Sequence, residues 1–216
     1  MNEIIEIIPV GSFQCNCIIL GDPVSKEAIV IDPGDELEKI LSKIRFHSLT
    51  VKSIVHTHTH IDHIGSTTPL QKETNARVLL HKEDQLLYEK MDVQASFLGL
   101  PTSKVHKPVP PDGYLTDGQE LSVGSLKGTV LHSPGHTPGS CGFYFPKLKN
   151  SGTLFPGDTL FAGSIGRTDL WGGDYDLEIS SIKKKFLILP EETIIVPGHG
   201  PRTTIAQEKK LNPFLN

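Results

Sequence analysis

One short segment concentrates side chains that bind metal ions. Three imidazoles and one carboxylate fall within residues 58–63, directly after an apolar run that predicts a strand. Zinc, iron and manganese all accept imidazole and carboxylate ligands. On an extended segment His58 and His60 point to the same side, because side chains alternate with a period of two, so these two can share one ion. Asp62 and His63 lie where the chain turns into the next helix, and therefore indicate a second ion. A helix start with Asp62 as N-cap would explain the aspartate but none of the histidines.

Three Pro-Gly turns repeat the same design further along the chain. Each places one histidine or aspartate just after a predicted strand, in Ser133-Pro134-Gly135-His136, in Pro156-Gly157-Asp158 and in Pro197-Gly198-His199-Gly200. Proline and glycine favour such turns, and ligand sites in α/β sheets gather at the carboxyl ends of strands. One such turn alone is more often only a turn. Four strand ends that deliver His or Asp predict a single metal centre.

Strands and helices must hold these turns in place. Short apolar runs bounded by Gly, Pro and Asp predict strands at 4–10, 15–20, 28–31, 51–56, 78–80, 119–123, 126–133, 141–145, 153–155 and 193–196. Helical spacing of apolar residues predicts a helix on the stripe Leu37, Ile40, Leu41 and Ile44, another after His63, and further helices at 82–90, 176–187 and 204–210. Residues 91–113, rich in proline and without a clear period, predict a loop. Helices covering stacked sheets predict an α+β fold, a four-layer αβ/βα sandwich.

Composition narrows the class of protein. A chain of 216 residues, 37% of them hydrophobic, predicts one domain over 1–216 with a sizeable core. The net charge of −4 and the lack of a basic stripe argue against a nucleic-acid partner. No apolar run approaches 18 residues and no basic, cleavable N-terminal signal is present, so we expect no membrane partner and a cytoplasmic protein. Three cysteines do not indicate a disulfide framework, and Cys15 and Cys17 are interpreted as small buried side chains.

The metal-binding pattern resembles, in order, the full ligand set of the metallo-β-lactamase superfamily: His58, His60, Asp62, His63, His136, Asp158 and His199. The resemblance runs over nearly the whole chain, from Asn16-Cys17 and the turn at 31–34 to His199. It implies that His58, His60 and His136 bind one ion. It also implies a second ion on Asp62, His63 and His199, with Asp158 bridging both. We therefore expect two divalent ions, with zinc first and iron or manganese as alternatives.

Within that superfamily the chain is similar to glyoxalase II, the hydroxyacylglutathione hydrolases. The similarity is carried by Gly157-Asp158-Thr159-Leu160-Phe161, by residues 161–169 with Gly166-Arg167, and by the ending Asn212-Pro213-Phe214, which looks like that of short bacterial members. Longer members carry a C-terminal helical domain that helps to hold glutathione. Only 17 residues follow His199 here, so we expect that domain to be absent. The resemblance therefore supports a similar hydrolytic centre in this chain more strongly than it supports specificity for glutathione.

The resemblance implies hydrolysis of a thioester such as S-D-lactoylglutathione to D-lactate and glutathione. Two divalent ions about 3.5–4 Å apart can lower the pKa of water to about 7 and polarise a carbonyl group. The expected catalytic residues are Asp62, which would orient the nucleophile, and Asp158. A small-molecule thioester suits such a site, because a thiolate with a pKa near 8.5 leaves with little protonation. The sequence offers no evident acid, which disfavours amide substrates.

Two further residues have open interpretations. Asp32 ends a predicted strand and is either a hydrogen-bond partner of a metal ligand or an ordinary turn residue. Arg167 either binds a substrate carboxylate through its bidentate fork or forms an ion pair with Asp169 or Asp174. Trp171 is interpreted as a packing residue rather than a wall of the substrate site.

Other functions use the same residue types. A persulfide dioxygenase of this fold would use one iron and a subset of the ligands. A hydrolase of this fold could instead cleave a lactone, a β-lactam or a phosphodiester, although a nuclease would need a nucleic-acid surface. A non-enzymatic metal-binding module is a different class, but structural zinc sites are usually closed by four protein ligands, unlike an open two-metal site. Metal analysis together with a thioester assay separates these functions.

Overall fold

Two mixed β-sheets lie face to face in the computed structural model, which describes residues 3–101 and 105–215. Within these ranges the first sheet has six strands in chain order: β1 (Ile4–Val10), β2 (Cys15–Gly21), β3 (Glu27–Ile31), β4 (Thr50–Val55), β5 (Arg77–His81) and β6 (Gly113–Leu115). Strands β1, β2 and β3 pair antiparallel, and β3 to β6 pair parallel. The parallel part places the end of β4, which precedes the first histidine motif, inside the sheet.

The second sheet supplies the other three turns. Its strands in the described residues are β7 (Glu120–Val123), β8 (Leu126–His132), β9 (Cys141–Phe145), β10 (Thr153–Phe155), β13 (Ile194–Ile195) and β14 (Thr203–Thr204). Their order in the sheet is β14-β13-β10-β9-β8-β7. Strand β9 is antiparallel to both β8 and β10, and β10 is parallel to β13. Strands β8, β10 and β13 therefore run in one direction, and the turns that follow them meet at one edge.

Helices cover both outer faces. They are α1 (Leu37–Phe46), α2 (Ile61–Ile64), α3 (Thr67–Thr74), α4 (Gln85–Glu89), α5 (Met91–Phe97), α6 (Tyr175–Ser181), which continues as a π-helical turn over Ile182–Phe186, and α7 (Ile205–Leu211). Apolar side chains of both sheets form one buried layer, which includes Ile29, Val55, Val130 and Phe143. Two outer layers join α1 to the first sheet and α7 to the second. This helix–sheet–sheet–helix order confirms the predicted four-layer sandwich. In the described parts of the chain, no helix has the length and apolar character needed to span a bilayer.

One prediction of local structure was wrong. Residues 91–97, expected to belong to a loop, form α5. Met91 and Ala95 are buried one turn apart, and the polar Gln94 between them is also buried. Because glutamine is polar, the buried face of α5 does not appear as an apolar stripe in the sequence, and the helix was therefore not predicted.

A short hairpin, β11 (Leu160–Phe161) and β12 (Ser164–Ile165), is held by the end of the chain. The buried Glu208 carboxylate accepts a hydrogen bond of 2.9 Å from Gly163 N, and Asn212 Nδ2 donates to Ser164 O at 3.0 Å. Helix α7 and the Asn212-Pro213-Phe214 ending therefore position the hairpin that carries Phe161 towards the metal centre.

Candidate metal centre

The structure brings together all seven residues of the implied ligand set. The first group joins His58, His60 and His136, whose candidate ligand atoms lie within 4.8 Å of one another. Nε2 of His58 lies 3.2 Å from Nε2 of His136, and the rings of His58 and His60 have centroids 4.8 Å apart. All three side chains are buried. Two loops, after β4 and after β8, therefore supply one set of three imidazoles.

The second group joins Asp62, His63 and His199. Nε2 of His63 is 3.2 Å from Nε2 of His199, and Asp62 Oδ2 is 3.2 Å from the same His199 atom. Asp62 and His63 belong to the single turn of α2. The two groups are adjacent, because the rings of His63 and His58 have centroids 4.1 Å apart.

Asp158 lies between the two groups. Its Oδ1 is 3.4 Å from Nε2 of His63, and its Oδ2 is 3.8 Å from Nε2 of His136 and 3.5 Å from Nε2 of His199. One carboxylate therefore faces ligands of both groups. This is the geometry that a bridging ligand requires.

Backbone and side-chain acceptors fix the orientation of four of the five imidazoles. The Nδ1 atom of each lies near an oxygen: His58 with Thr57 Oγ1 at 3.2 Å, His63 with Asp32 Oδ2 at 3.1 Å, His136 with Arg167 O at 2.7 Å and His199 with Phe13 O at 2.9 Å. An Nδ1–H that donates to these oxygens leaves the lone pair on Nε2, facing the cluster. Such outer partners are typical of histidines that bind a metal.

The donor set fits divalent metal ions. Six buried side-chain polar atoms of the described residues have no hydrogen-bond partner, and two of them, His60 Nε2 and Asp158 Oδ1, belong to the cluster. Buried polar atoms without partners are costly, and an ion in the cluster would satisfy both. Two nitrogen ligands at 2.0–2.1 Å from a tetrahedral ion lie about 3.3 Å apart, close to the 3.2 Å between the paired Nε2 atoms in each group.

The charges in the cluster also favour cations. Burial and neighbouring imidazoles lower the pKa of His60 to about 3, so this side chain is a neutral ligand at pH 7. Burial opposes ionisation of Asp62, but His63 and His199 outweigh it and hold the pKa of this carboxyl below its usual value. Asp62 is therefore a carboxylate that only accepts hydrogen bonds or binds cations.

Asp32 contacts the centre from behind, which supports the first of its two interpretations. It is buried and accepts from Thr57 N at 2.8 Å, besides its contact with His63. Burial opposes ionisation of Asp32, but the neighbouring imidazoles of His56 and His63 outweigh it and lower the pKa of Asp32 to about 2. Cys15, which was interpreted as a buried side chain, is buried and also lies 3.5 Å from His63 Nδ1 through its Sγ.

Asp84 supports the first group, and the sequence pattern missed it. Its buried carboxylate accepts from Thr59 N at 2.9 Å, from Gly139 N at 2.6 Å and from Thr137 Oγ1 at 3.0 Å. Thr59 lies between His58 and His60, and Thr137 follows His136. One carboxylate therefore holds together the two loops that supply the three imidazoles.

Glu178 supports the same group from α6. Its Oε2 accepts a 2.8 Å hydrogen bond from His136 N, and burial raises the pKa of Glu178 to about 9. Gly135 allows this contact, because its φ is +149° and a Cβ there would lie 2.3 Å from Glu178 Cα. No local signal in the sequence pointed to Glu178, because the helix was predicted from its apolar residues and Glu178 is charged.

A cavity of about 300 Å³ opens onto the centre. Its lining includes Asp62, Asp158 and the side chains of Phe13, Phe161 and Trp171, so Trp171 does reach the wall of the cavity. Arg167 is the only cationic side chain among the described lining residues besides the histidines. It forms a bidentate pair with Asp169, at 2.7 and 2.9 Å, in agreement with the ion-pair interpretation.

A further group of possible ligands lies outside this centre. His81, Glu83 and His132 bring candidate atoms within 4.8 Å. The two rings stack with centroids 3.9 Å apart and an interplanar angle of 15°. Nearly parallel rings do not direct their in-plane lone pairs to a common point, so this group is not a metal centre in the observed conformation.

Comparison with known proteins places the chain among metallo-hydrolases. A family model described as the metallo-beta-lactamase superfamily matches residues 10–199. A relative from Haemophilus influenzae named hydroxyacylglutathione hydrolase GloC is 41% identical over 98% of both chains. The B3 metallo-beta-lactamase BLEG-1 has a TM-score of 0.88 and 38% identity, over 98% of this chain and 99% of its own. A di-iron-bound form of TTHA1623 has a TM-score of 0.87 and 40% identity, over 97% and 100%.

Proposed function

The chain belongs to the metallo-β-lactamase superfamily and is a metallo-hydrolase, and from this premise we propose that it is a two-metal enzyme that hydrolyses thioesters. The observation that carries the proposal is the position of Asp158 between two groups of three ligands, with the Nε2 atoms of both groups facing inward. The name of the relative from H. influenzae supports a hydroxyacylglutathione as one substrate.

The first group, His58, His60 and His136, would hold one ion, and Asp62, His63 and His199 the other, with Asp158 shared. Two divalent ions bound there would supply an acidified water and polarise the carbonyl group of the substrate. Zinc fits the imidazole and carboxylate donors, and the di-iron form of a relative makes iron an equal candidate to measure.

The protein itself orients the reactants. Asp62 is 19% exposed and lines the cavity, so its carboxylate can accept a hydrogen bond from the attacking water and hold it for attack on the carbonyl carbon. The aromatic rings of Phe13, Phe161 and Trp171 cover the sides of the cavity and limit the access of other water molecules.

The lining of the cavity favours a leaving group that departs without a proton donor. Apart from the ligand set, its described polar side chains are Gln94, Arg167 and the indole of Trp171. None of these side chains titrates as an acid near neutrality. A thiolate leaves unprotonated far more readily than an amine, so this lining supports thioesters over amides.

The test is a substrate panel on protein whose metal content is measured in the same sample. Thioesters, including S-D-lactoylglutathione, are compared with an oxygen ester and an amide of the same acyl group, a chromogenic β-lactam and a phosphodiester. We expect turnover of thioesters to exceed the others. Faster hydrolysis of the β-lactam would instead assign the chain the activity named for BLEG-1, and oxygen consumption with a persulfide by a one-iron protein would assign it to the dioxygenases.

Two histidine variants test whether the measured hydrolysis comes from this protein and not from a contaminating enzyme. His60→Ala removes a ligand of the first group and should lower kcat at least 100-fold. His47→Ala removes a histidine whose side-chain partner is Glu6 and not a member of the metal centre. This variant should retain wild-type kcat. Equal activity of the two variants would mean that the measured hydrolysis does not come from this site.

A further inference from the structure

A second cavity lies beside the metal centre. It has a volume of about 320 Å³ and lies between helices α4 and α5 on one side and the segment around Trp171 on the other. We call it the side groove and define it by its apolar lining residues Leu86, Leu87, Val93, Pro138 and Trp171. The charged lining residues Glu83 and Lys90 are exposed, so the floor of the groove is hydrocarbon.

The side groove adjoins the cavity over the metal centre. Trp171 and Gln94 line both cavities, and the indole of Trp171 lies 6.4 Å from the ring of His60, centroid to centroid. Gln94 is a fixed partition, because its amide accepts from Ile61 N and donates to the carbonyl oxygens of Thr59 and Leu87. A chain attached to a carbonyl group at the metal centre can therefore reach the groove past the edge of Trp171.

The side groove leaves apolar surface in contact with water. Leu86 is 68% exposed and Val93 is 51% exposed, and next to the groove Phe97 is 64% exposed. The ring of Phe97 packs edge-on against Trp171 at 4.9 Å. Contiguous exposed apolar side chains at the mouth of a catalytic cavity are typical of ligand-binding surfaces.

Charge complementarity selects the kind of group that the groove accepts. Arg167, the cation at the metal cavity, is already paired with Asp169. The groove has one cation, Lys90, and this residue and Glu83 are exposed at its edge, whereas Leu86, Leu87, Val93, Pro138 and Trp171 present apolar surface. Biological thiol carriers such as glutathione are polar and charged, whereas an acyl group can be entirely hydrocarbon. The acyl side of a thioester therefore matches the groove better than the thiol side.

We infer that the side groove binds the acyl chain of the substrate, and that the enzyme prefers thioesters of longer aliphatic or aromatic acids over those of short acyl groups. The inference rests on the proposed thioester hydrolysis and adds the class of acyl group. Trp171 and Val93 are the residues that determine this specificity.

The first measurement is kcat/KM for a series of N-acetylcysteamine thioesters from acetyl to octanoyl. The thiol is small and neutral throughout, so only the acyl chain changes. Each methylene that enters the groove should raise kcat/KM by up to about fourfold, the equivalent of the free energy of burying one CH₂ group. A second series keeps the acetyl group and lengthens the thiol. A dependence on thiol length but not on acyl length would overturn the assignment.

A matched pair of variants locates the effect. Val93→Lys places a charge in the groove at an exposed helical position and should flatten the acyl-length dependence. Val24→Lys makes the same change at a 72% exposed position in the turn between β2 and β3 and should leave the dependence intact. Equal behaviour of the two variants would overturn the inference.

Trp171 gives a readout that does not depend on turnover, because it is the only tryptophan in the chain. An uncleavable analogue, with a methylene between sulfur and an octanoyl carbonyl, should shift the Trp171 emission more strongly than its acetyl counterpart, and Val93→Lys should abolish the difference. If this shift occurs but no thioester is hydrolysed, the groove is supported and the proposed function fails. Hydrolysis without any acyl-length dependence or fluorescence shift overturns the groove alone. A dimer at assay concentrations that Val93→Lys dissociates would also overturn it, because the groove would then be an interface.

Discussion

Asp32 Oδ2 lies 3.1 Å from Nδ1 of His63, on the side of the ring opposite to the metal centre. This contact fixes the Nε2 lone pair of His63 towards Asp158 and His199. Asp84 has the corresponding role for the other group, although it acts through loop atoms rather than through an imidazole. Asp32 therefore contacts the second group directly and reaches His58 of the first group only through Thr57, whereas Asp84 holds the loops of the first group.

Asp32→Ala should weaken mainly the group of Asp62, His63 and His199. Loss of such an outer partner typically lowers metal affinity by about 10- to 100-fold. Stepwise titration of chelator-treated protein with zinc, against a chromophoric chelator, gives two dissociation constants. His199→Ala identifies the step that belongs to this group. A change confined to the other step would contradict the role of Asp32.

Asp84→Asn should weaken mainly the group of His58, His60 and His136. The substitution keeps the volume but turns one acceptor oxygen into an amide donor, which then faces the donors Thr59 N or Gly139 N. The same titration is the measurement, with His136→Ala to identify the step. If Asp84→Asn lowered the melting temperature but left both dissociation constants unchanged, Asp84 would stabilise the fold without positioning the ligands.

Gly198→Ala should disturb the bridging carboxylate directly. A Cβ at this position would lie 2.0 Å from Asp158 Oδ1 and 2.8 Å from His63 Cε1, so Asp158 must move. We expect reduced metal content and a large loss of kcat. Gly200→Ala is the control, because its Cβ would meet no atom within 4 Å and only its φ of +74° is strained. This control should cost about 1 kcal/mol of stability and keep its metal. Similar metal loss in both variants would show that the steric contact with Asp158 is not the cause of the loss.

Asp22 should make the fold sensitive to acid. Hydrogen bonds from the hydroxyl and the N–H of Ser125, and then from Ser25 N, hold the pKa of this buried carboxyl below its usual value. A lowered folded-state pKa stabilises the protein above the unfolded-state pKa, near 4, and this contribution is lost as the pH falls through the folded-state value. The difference in unfolding free energy between wild type and Asp22→Asn should therefore be largest at neutral pH and shrink from about pH 5 downwards.

The exposed Asp176→Asn on α6 is the control for this experiment. At each pH the unfolding free energy of a variant is subtracted from that of wild type. Titration of the metal ligands contributes equally to the two proteins and cancels in this difference. A difference between wild type and Asp22→Asn that stays constant from pH 7 to pH 3 would contradict the assignment to ionised Asp22.

The sequence predicted which seven side chains meet at one centre, and the layer order, because both depend on local signals. The seven candidate ligands lie in short motifs, and the longer strands have an apolar run bounded by turn residues. The strands β6, β11, β12 and β14 have only two or three residues and were not predicted. Asp84 and Glu178 had no such signal, since their partners lie up to 55 and 42 residues away along the chain. A single polar residue shows its role only when the fold brings its partners to it. The side groove was missed for the same reason, because Trp171 and Val93 meet only in the tertiary structure.

The most direct test of a two-metal centre is the metal content of Asp158 variants, because the Asp158 carboxylate faces ligands of both groups. Wild type, Asp158→Asn, Asp158→Ala and His199→Ala are purified without chelator and measured by elemental analysis, with melting temperatures alongside. Wild type should hold about two ions per chain. His199→Ala should keep about one, whereas both Asp158 variants should lose metal from the two sites together and melt at lower temperature. Retention of two ions and near-normal hydrolysis by Asp158→Asn would contradict the bridging role of Asp158 and the two-metal centre built on it.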